Sequence, residues 1–379
     1  MSTHFRTPLR PLAAAACLLL AGAASSAWAA TCTWTGAANG NMNDTGNWSC
    51  PGGGPNLPGT GDTVIFPAGA ATLNVNNDFG GGSPTFYDVS FAPGYALQGS
   101  VLNFSHLAAI TSPFTTSAIL DGGAIPFGTI QVNGSPGAGF AYLGDITDIG
   151  GVTVGNGAGQ AHAVLNSLTN PAMPGPAPIT VAAQGWLSLG AAVITPALTV
   201  QANGTLVISE PPSGAVGGST IGSATVTGAT TLAAGAALEY RALTTYDSGV
   251  LTAQGGIALN GATLRVVVED PANPDAVGLQ RTLAGYGDSS QLSGTFAGLP
   301  EGAVFAASNA PQVYYQITYG SNSNAFIQIT RVSTPVVPPG GAGGPAAIPV
   351  LAPAGLALLS VAVAGVGVLR RRTGRADRP

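Results

Sequence analysis

Side chains that could act in catalysis are few in this chain. Between residues 30 and 332 there are two histidines, His106 and His162, and no Gly-x-Ser-x-Gly elbow that would present a serine nucleophile. Acyl transfer needs a nucleophile beside a base, and glycoside hydrolysis needs two carboxylates. The sequence suggests neither set, so we expect a protein that is not an enzyme and has no catalytic residue or cofactor.

Two turns carry the oxygen ligands that Ca²⁺ prefers. One is a Pro/Asn-rich loop with Glu269, Asp270 and Asp275, and the other runs from Asn39 to Asp44. The second turn lacks the bidentate Glu that completes a calcium-binding loop. Solvated turns at strand ends explain both patterns, so we expect no metal-ligating residues.

Charged residues are sparse and unevenly distributed. They make up 7% of the 379 residues, lysine is absent, and residues 30–332 hold 15 acidic residues against four arginines, a formal charge of −11. Nucleic-acid binding requires a basic surface, and so does electrostatic attachment to anionic lipid. The composition therefore argues against a nucleic-acid partner.

The first 29 residues have the pattern of a secretory signal peptide. A basic start is followed by an apolar run from Leu12 to Ala24, and Ala27-Trp28-Ala29 forms an A-x-A cleavage site. The alternatives are a permanent N-terminal anchor and a lipoprotein modified at Cys17. The anchor is disfavoured because the apolar run is short for a bilayer, and the lipoprotein because Cys17 lies inside that run.

The last residues predict a tethered membrane segment. Residues 333–347 form a Gly/Pro linker, residues 348–369 contain no charge, and residues 370–379 form a basic tail. A run of 22 uncharged residues is long enough to cross a bilayer, and the arginines would stay in the cytoplasm. A buried core helix is the alternative.

This C-terminal pattern resembles the IPTL-CTERM sorting domain of Gram-negative surface proteins. The residues that carry the resemblance are Ile348, Pro349, Val350, Leu351, Gly355, Arg370, Arg371 and Arg372. The family has Thr where this chain has Val350 and Trp where it has Ala354. The resemblance implies a sorting signal that an exosortase-like membrane peptidase processes.

Cys32 and Cys50 are the two cysteines that remain after signal cleavage. In an oxidising exported compartment, such a pair favours a disulfide. It would close a loop of about 19 residues and stabilise the fold by about 3 kcal/mol in the chain-entropy model. Metal ligation is the alternative, but it needs two further ligands and no histidine lies nearby.

Residues 30–332 are expected to form one exported β-rich domain. Short apolar/Thr runs recur between Gly and Asn, and the segment 179–189 aligns with 198–208 at an offset of 19 residues. Such strand–turn–strand repeats can bury their apolar faces only by stacking. We therefore expect an all-β fold, a right-handed β-solenoid, with one C-terminal transmembrane helix. Tandem β-sandwiches also produce short, regularly spaced strands and are the alternative.

Two further segments support the solenoid. The Trp-Thr-Gly, Asn-Trp-Ser and Gly-Asp-Thr-Val pattern around Trp34, Trp48 and Asp62 resembles the start of exported β-helical proteins with autotransporter-associated repeats. The aromatic strands from residue 292 to 330 are similar to the closing strands of autotransporter-like passenger regions. The resemblance implies that both ends of the stack are capped.

These features predict an exported structural or adhesive surface protein, tethered to the inner membrane before sorting and then placed at the cell surface or in the extracellular matrix. The alternative is a β-helical protein that binds or cleaves polysaccharide. Extracellular polysaccharide is an expected partner in both cases. A flat Thr/Asn-lined surface favours the first, and a groove with an aromatic platform and clustered carboxylates favours the second.

Overall fold

The computed structural model describes residues 29–51, 56–122, 128–134, 141–156, 159–169, 178–193, 197–208, 224–242, 249–287, 291–320 and 325–333. Within these ranges the regular structure consists of strands and two short 3₁₀ turns, Thr45–Asn47 and Gly80–Gly82, without an α-helix. The expectation of an all-β domain is confirmed.

The described ranges contain 28 strands. In chain order, β1 to β28 are Thr31–Trp34, Trp48–Ser49, Thr63–Phe66, Asn74–Asn77, Thr85–Phe91, Tyr95–Gly99, Leu102–Thr111, Phe114–Thr116, Leu120–Asp121, Thr129–Asn133, Ala141–Thr147, Gly151–Val154, Ala161–Thr169, Ile179–Val181, Gly185–Val193, Ala197–Val200, Thr205–Ile208, Ala224–Val226, Ala229–Leu232, Ala237–Ala242, Leu251–Ala253, Ile257–Ala258, Thr263–Val268, Gln280–Tyr286, Leu292–Ser293, Val304–Ala306, Tyr314–Tyr319 and Phe326–Val332.

Parallel pairing joins strands from successive passes of the chain. The first face is the ladder β1, β3, β5, β7, β10, β12, β14, β16, β19, β22, β25. The second face is the ladder β4, β6, β8, β11, β13, β15, β17, β20, β23, and a third ladder contains β18, β21 and β24. Each pass returns to the same ladders, which fits a β-solenoid. Sandwiches are built from antiparallel sheets. The handedness of the winding stays a prediction.

The 19-residue repeat corresponds to one turn of this stack. Ile179 lies beside Leu198 on the first face, and Trp186 lies beside Thr205 on the second. Other turns are longer: Thr230 lies beside Ile257. The longer turn includes strand β21 of the third ladder, and the first face keeps its register although the turn length varies.

Alternation along each strand separates the core from the surface. Leu264 and Val266 are buried while Arg265 between them is exposed, as the sequence pattern predicts. On the first face, the inward positions stack into apolar columns, and each fully buried branched side chain contributes about 1.5–3 kcal/mol by leaving water. Inward side chains of successive turns therefore contact one another along each column, and these contacts help to hold the turns together.

The N-terminal end of the stack is closed by an aromatic cap. β2 pairs antiparallel with β1, and the rings of Trp34 and Trp48 lie 5.0 Å apart, both against Phe66. The indole Nε1 groups donate to backbone carbonyls of Thr72 and Met42. The open edge of a parallel stack is a template for unwanted pairing, and a hairpin that lies over it limits such pairing.

The turn from Asn39 to Asp44 serves this cap. The buried Asn47 side chain accepts from the backbone N–H groups of Ala38 and Asn39 and donates to the Asn41 carbonyl. Its amide thus satisfies backbone groups of a tight loop, which explains the amide-rich sequence.

The other end is closed by antiparallel strands. β28 pairs with β24, β27 with β28, and β26 with β27. The Tyr319 hydroxyl donates to the Leu299 carbonyl and accepts from the backbone N–H of Phe296. Burial raises the pKa of Tyr319 to about 12. The aromatic closing strands expected from the sequence are present.

One inward position on the first face carries a hydroxyl. Thr230 lies in register between Leu198 and Ile257, is 0% exposed, and its Oγ1 finds no hydrogen-bond partner in the described part of the chain. A buried donor without a partner costs free energy that an apolar group of the same shape does not.

We therefore predict that Thr230→Val raises the free energy of unfolding by about 1 kcal/mol. Urea unfolding followed by circular dichroism would measure the change. Thr231→Val is the matched control, since Thr231 is the next residue on the same strand and points outward. An equal change in both variants would show that strand propensity, and not the buried hydroxyl, is responsible.

Candidate functional site

A groove runs along one edge of the second face. Its described lining residues are Gln160, Gln184, Trp186, Asn203, Gly204, Thr205, Gly235, Ala237 and Arg265, and its volume is about 410 Å³. Ligand sites generally have volumes of about 300–1,000 Å³ and combine an apolar surface with a few polar groups. We treat this groove as the candidate site.

The groove wall is a column of turn residues from successive passes of the chain. Gln184 and Asn203 have positive φ angles of 62° and 63°, and Gly235 has 79°. Asn and Gly adopt this conformation readily, which explains their presence at the turns. The backbone N–H of Gln184 donates to the Asn203 carbonyl, and that of Asn203 donates to the Gly235 carbonyl. The stacked turns therefore present exposed amide side chains one above the other.

The groove floor consists of the first outward residues of three neighbouring strands. Trp186 of β15, Thr205 of β17 and Ala237 of β20 lie side by side in register. Trp186 is half-buried, whereas Thr205 and Ala237 are buried. The indole thus stands beside two small side chains, and a flat ligand has room next to it.

His162 supports the indole from the preceding turn. The two rings lie 5.9 Å apart, and the Nε2 atom of His162 is 3.2 Å from the Ser188 Oγ. A serine beside a histidine is part of the machinery of many hydrolases. Ser188 is only 3% exposed, however, so its hydroxyl is not presented to a ligand in the groove. The contact fits a role in holding His162 against Trp186.

The charge of the groove comes from Arg265. This side chain is exposed on β23 and has no hydrogen bond or ion pair among the described residues. The other three arginines of the domain are engaged: Arg241 with Glu239 at 3.1 Å, Arg281 with Asp275 at 2.6 Å, and Arg331 with the Tyr314 carbonyl at 3.1 Å. None of the described lining residues is acidic.

Two other surfaces have a regular composition. On the first face, four outward residues form an in-register column: Thr153, Thr180, Thr199 and Thr231. Elsewhere, the exposed ring of Tyr87 stacks on His106 at 4.7 Å, and the His106 Nδ1 is 2.6 Å from Asp88 Oδ1. The described surface therefore includes a threonine column on the first face, the exposed ring of Tyr87 and the half-buried ring of Trp186.

The predicted site residues have three outcomes. Cys32 and Cys50 form the expected disulfide, with their Cα atoms 4.3 Å apart. No group of three or more potential metal ligands occurs among the described residues. The residues of the proposed sorting motif, from Ile348 to Arg372, lie outside the described part of the chain.

The acidic loop differs from expectation at one residue. Asp275 is 8% exposed and bound to Arg281 through both carboxylate oxygens, so it does not belong to a solvated turn. This hydrogen bond is the main cause of the raised pKa of Arg281. Asp270 accepts from the backbone N–H of Ala272, as a turn residue does. The sequence does not reveal the partner of Asp275, because the pairing depends on how the loop folds back.

The described part of the chain thus defines an all-β, repeat-built protein with a polar, aromatic-lined groove. Residues 346–373 match the IPTL-CTERM motif, which confirms the resemblance and indicates an exported protein sorted to the cell surface through a C-terminal signal. No curated protein matches the chain. Among the described residues, no helix is long and apolar enough to cross a membrane; the predicted span, 348–369, lies outside them.

The groove geometry makes a spectroscopic prediction. After removal of residues 1–29, the chain contains Trp34, Trp48 and Trp186. The first two are buried in the cap, so Trp186 should account for the fluorescence that acrylamide quenches efficiently.

We expect Trp186→Phe to remove most of the quenchable emission while Trp34→Phe leaves it in place. Stern–Volmer plots of the two variants and the parent would show this. Strong quenching that persists in Trp186→Phe would mean that the cap is open in solution.

Proposed function

We propose that this protein is an exported cell-surface adhesin whose β-solenoid binds extracellular polysaccharide without cleaving it. The observation that carries the proposal is the groove, where the half-buried Trp186 is bordered by the exposed amides of Gln184 and Asn203. Sugar rings have an apolar C–H face that can stack on an aromatic ring, and hydroxyls that hydrogen-bond with amides. The groove offers both kinds of group along one line.

Binding without cleavage is favoured by the distribution of carboxylates. Glycosidases place two carboxyl groups about 5–10 Å apart around the scissile bond. The described lining residues include none. Glu239, on the outward side of the neighbouring strand β20, is 5% exposed and paired with Arg241. The flat threonine column is consistent with a structural or adhesive surface.

The route to the surface is part of the same proposal. The first 29 residues would direct export, and residues 348–369 would hold the protein in the inner membrane of a Gram-negative cell. An exosortase-like peptidase would then act near the motif. The IPTL-CTERM match supports the sorting step, and the positive charge of residues 370–379 supports a cytoplasmic tail.

The binding function predicts glycan retention that depends on Trp186. The full mature chain, purified in detergent, should bind a subset of a glycan array, and Trp186→Ala should weaken that binding about tenfold or more. Tyr87→Ala is the matched control, because it removes an exposed aromatic ring elsewhere on the solenoid. Binding that is unchanged in Trp186→Ala would contradict the proposal for this groove.

The same glycans should be assayed for release of reducing ends. We expect none. If the protein depolymerises a glycan and a groove variant does not, the adhesin proposal is wrong and the alternative function, a carbohydrate-active enzyme, is supported.

The sorting step predicts that two tags on one chain will separate. With one tag in the linker 333–347 and another after residue 379, the linker tag should reach the surface fraction if cleavage occurs within or after the motif. The C-terminal tag should remain in the inner membrane. Deletion of residues 346–373 should abolish the separation. If both tags stay together at the inner membrane, the segment is an anchor and no processing takes place.

A further inference from the structure

The chemistry of the groove also indicates which class of polysaccharide it takes, an inference that rests on the proposed function. Arg265 is the guanidinium among the four described arginines that is left without a partner, and it lines the groove. Such an arginine can bind an anionic group of a ligand, because the planar guanidinium donates two parallel hydrogen bonds to a carboxylate.

The surroundings of Arg265 leave that charge available. Glu239 is its register neighbour on β20, but the Glu239 carboxylate is buried and bound to Arg241. Among the described residues Glu239 therefore forms its ion pair with Arg241 and none with Arg265. The described lining residues therefore carry one positive and no negative charge, although residues 30–332 carry a formal charge of −11.

The positions of Trp186 and Arg265 set the size of the ligand. Trp186 lies on β15 and Arg265 on β23, with β17 and β20 between them. Three steps between neighbouring strands amount to about 14 Å. This separation of the two strands is greater than the width of one sugar ring, so an oligosaccharide fits the spacing better than a monosaccharide does. The two contacts belong to different units of a chain that crosses the strands.

The groove wall beside these strands also suits a sugar chain. Gln184 and Asn203 project exposed amides from consecutive turns, so their donors and acceptors follow the direction in which the strands stack. Amide groups both donate and accept, and hydroxyls of a sugar chain do the same.

We propose that the groove binds an acidic oligosaccharide laid across β15, β17, β20 and β23. One sugar unit stacks on Trp186, and the carboxylate of another unit, a uronic acid, pairs with Arg265. The specificity for acidic over neutral glycans thus comes from one side chain.

The test compares uronic-acid oligosaccharides with the same oligosaccharides after chemical reduction of their carboxyl groups to alcohols. Calorimetry with the full mature chain in detergent would give Kd for each. We expect the reduced ligands to bind about five- to tenfold more weakly, in line with an exposed but bidentate charged pair. Added salt should weaken binding of the acidic ligand more than that of the reduced one.

Variants then assign the effect to Arg265. Arg265→Gln should weaken the acidic ligand by a similar factor and leave the reduced ligand unchanged, and Arg265→Lys should lie between the two. Because the side chain is exposed, the variant should unfold at the same urea concentration as the parent. A loss that is equal for both ligands would overturn the assigned pairing.

Ligand length tests the placement across the strands. A free uronic acid monosaccharide should bind far more weakly than the oligosaccharide. Its affinity should not be lowered by both Trp186→Ala and Arg265→Gln, because one sugar unit makes only one of the two contacts. A monosaccharide that binds as tightly as the oligosaccharide would overturn this placement.

The outcomes separate this inference from the proposed function. If acidic and reduced ligands bind equally and both depend on Trp186, the groove is a neutral-glycan site: the acidic specificity is wrong and the adhesin proposal stands. If neither Trp186→Ala nor Arg265→Gln changes the binding of any glycan, both proposals fail.

Discussion

The in-register stacking of parallel strands is the constraint on which the rest of this structure depends. It pairs the backbone of each strand with strands of the preceding and following turns, and it places equivalent residues of successive turns in one column. Inward columns become the core and outward columns become surfaces. Because a parallel stack leaves unpaired edges, each end needs antiparallel strands: β2 at one end and β26 to β28 at the other. Core, caps and groove are consequences of this arrangement.

Because charged residues are sparse in this domain, each ion pair has a distinct structural role. Arg281 with Asp275 holds the loop before β24, and Arg241 with Glu239 neutralises a buried carboxylate on the second face. Of the four arginines of the domain, these two form ion pairs, Arg331 donates to a backbone carbonyl, and Arg265 has no hydrogen bond or ion pair among the described residues. The electrostatics of the groove therefore follow from pairings elsewhere in the fold, including one that also fixes a loop.

The sequence predicts the local and periodic features well. Strand alternation around Arg265, the 19-residue repeat and the Cys32–Cys50 pair all depend on spacing, which can be read directly. The groove could not be predicted in this way. Trp186 and Arg265 are separated by turns of unequal length, so their distance depends on how many strands lie between them and not on sequence separation. The signal that could have indicated the site is the unusual Trp in a repeat position where the next turn has Thr205. The sequence does not predict the ion pair between the buried Asp275 and Arg281, because the pattern of a Pro/Asn-rich loop does not indicate which of its side chains is buried.

The unequal turn lengths also bear on how such a site could evolve. Several successive repeats each contribute one wall residue and one floor residue to the groove, and the ladder register is preserved whether a turn has 19 residues or more. Duplication or loss of one whole repeat between Trp186 and Arg265 would therefore leave the fold intact and change their separation by one strand spacing. Under the proposed function, unequal recombination between repeats would lengthen or shorten the glycan segment that the groove accommodates in discrete steps, without a substitution in the residues that line it.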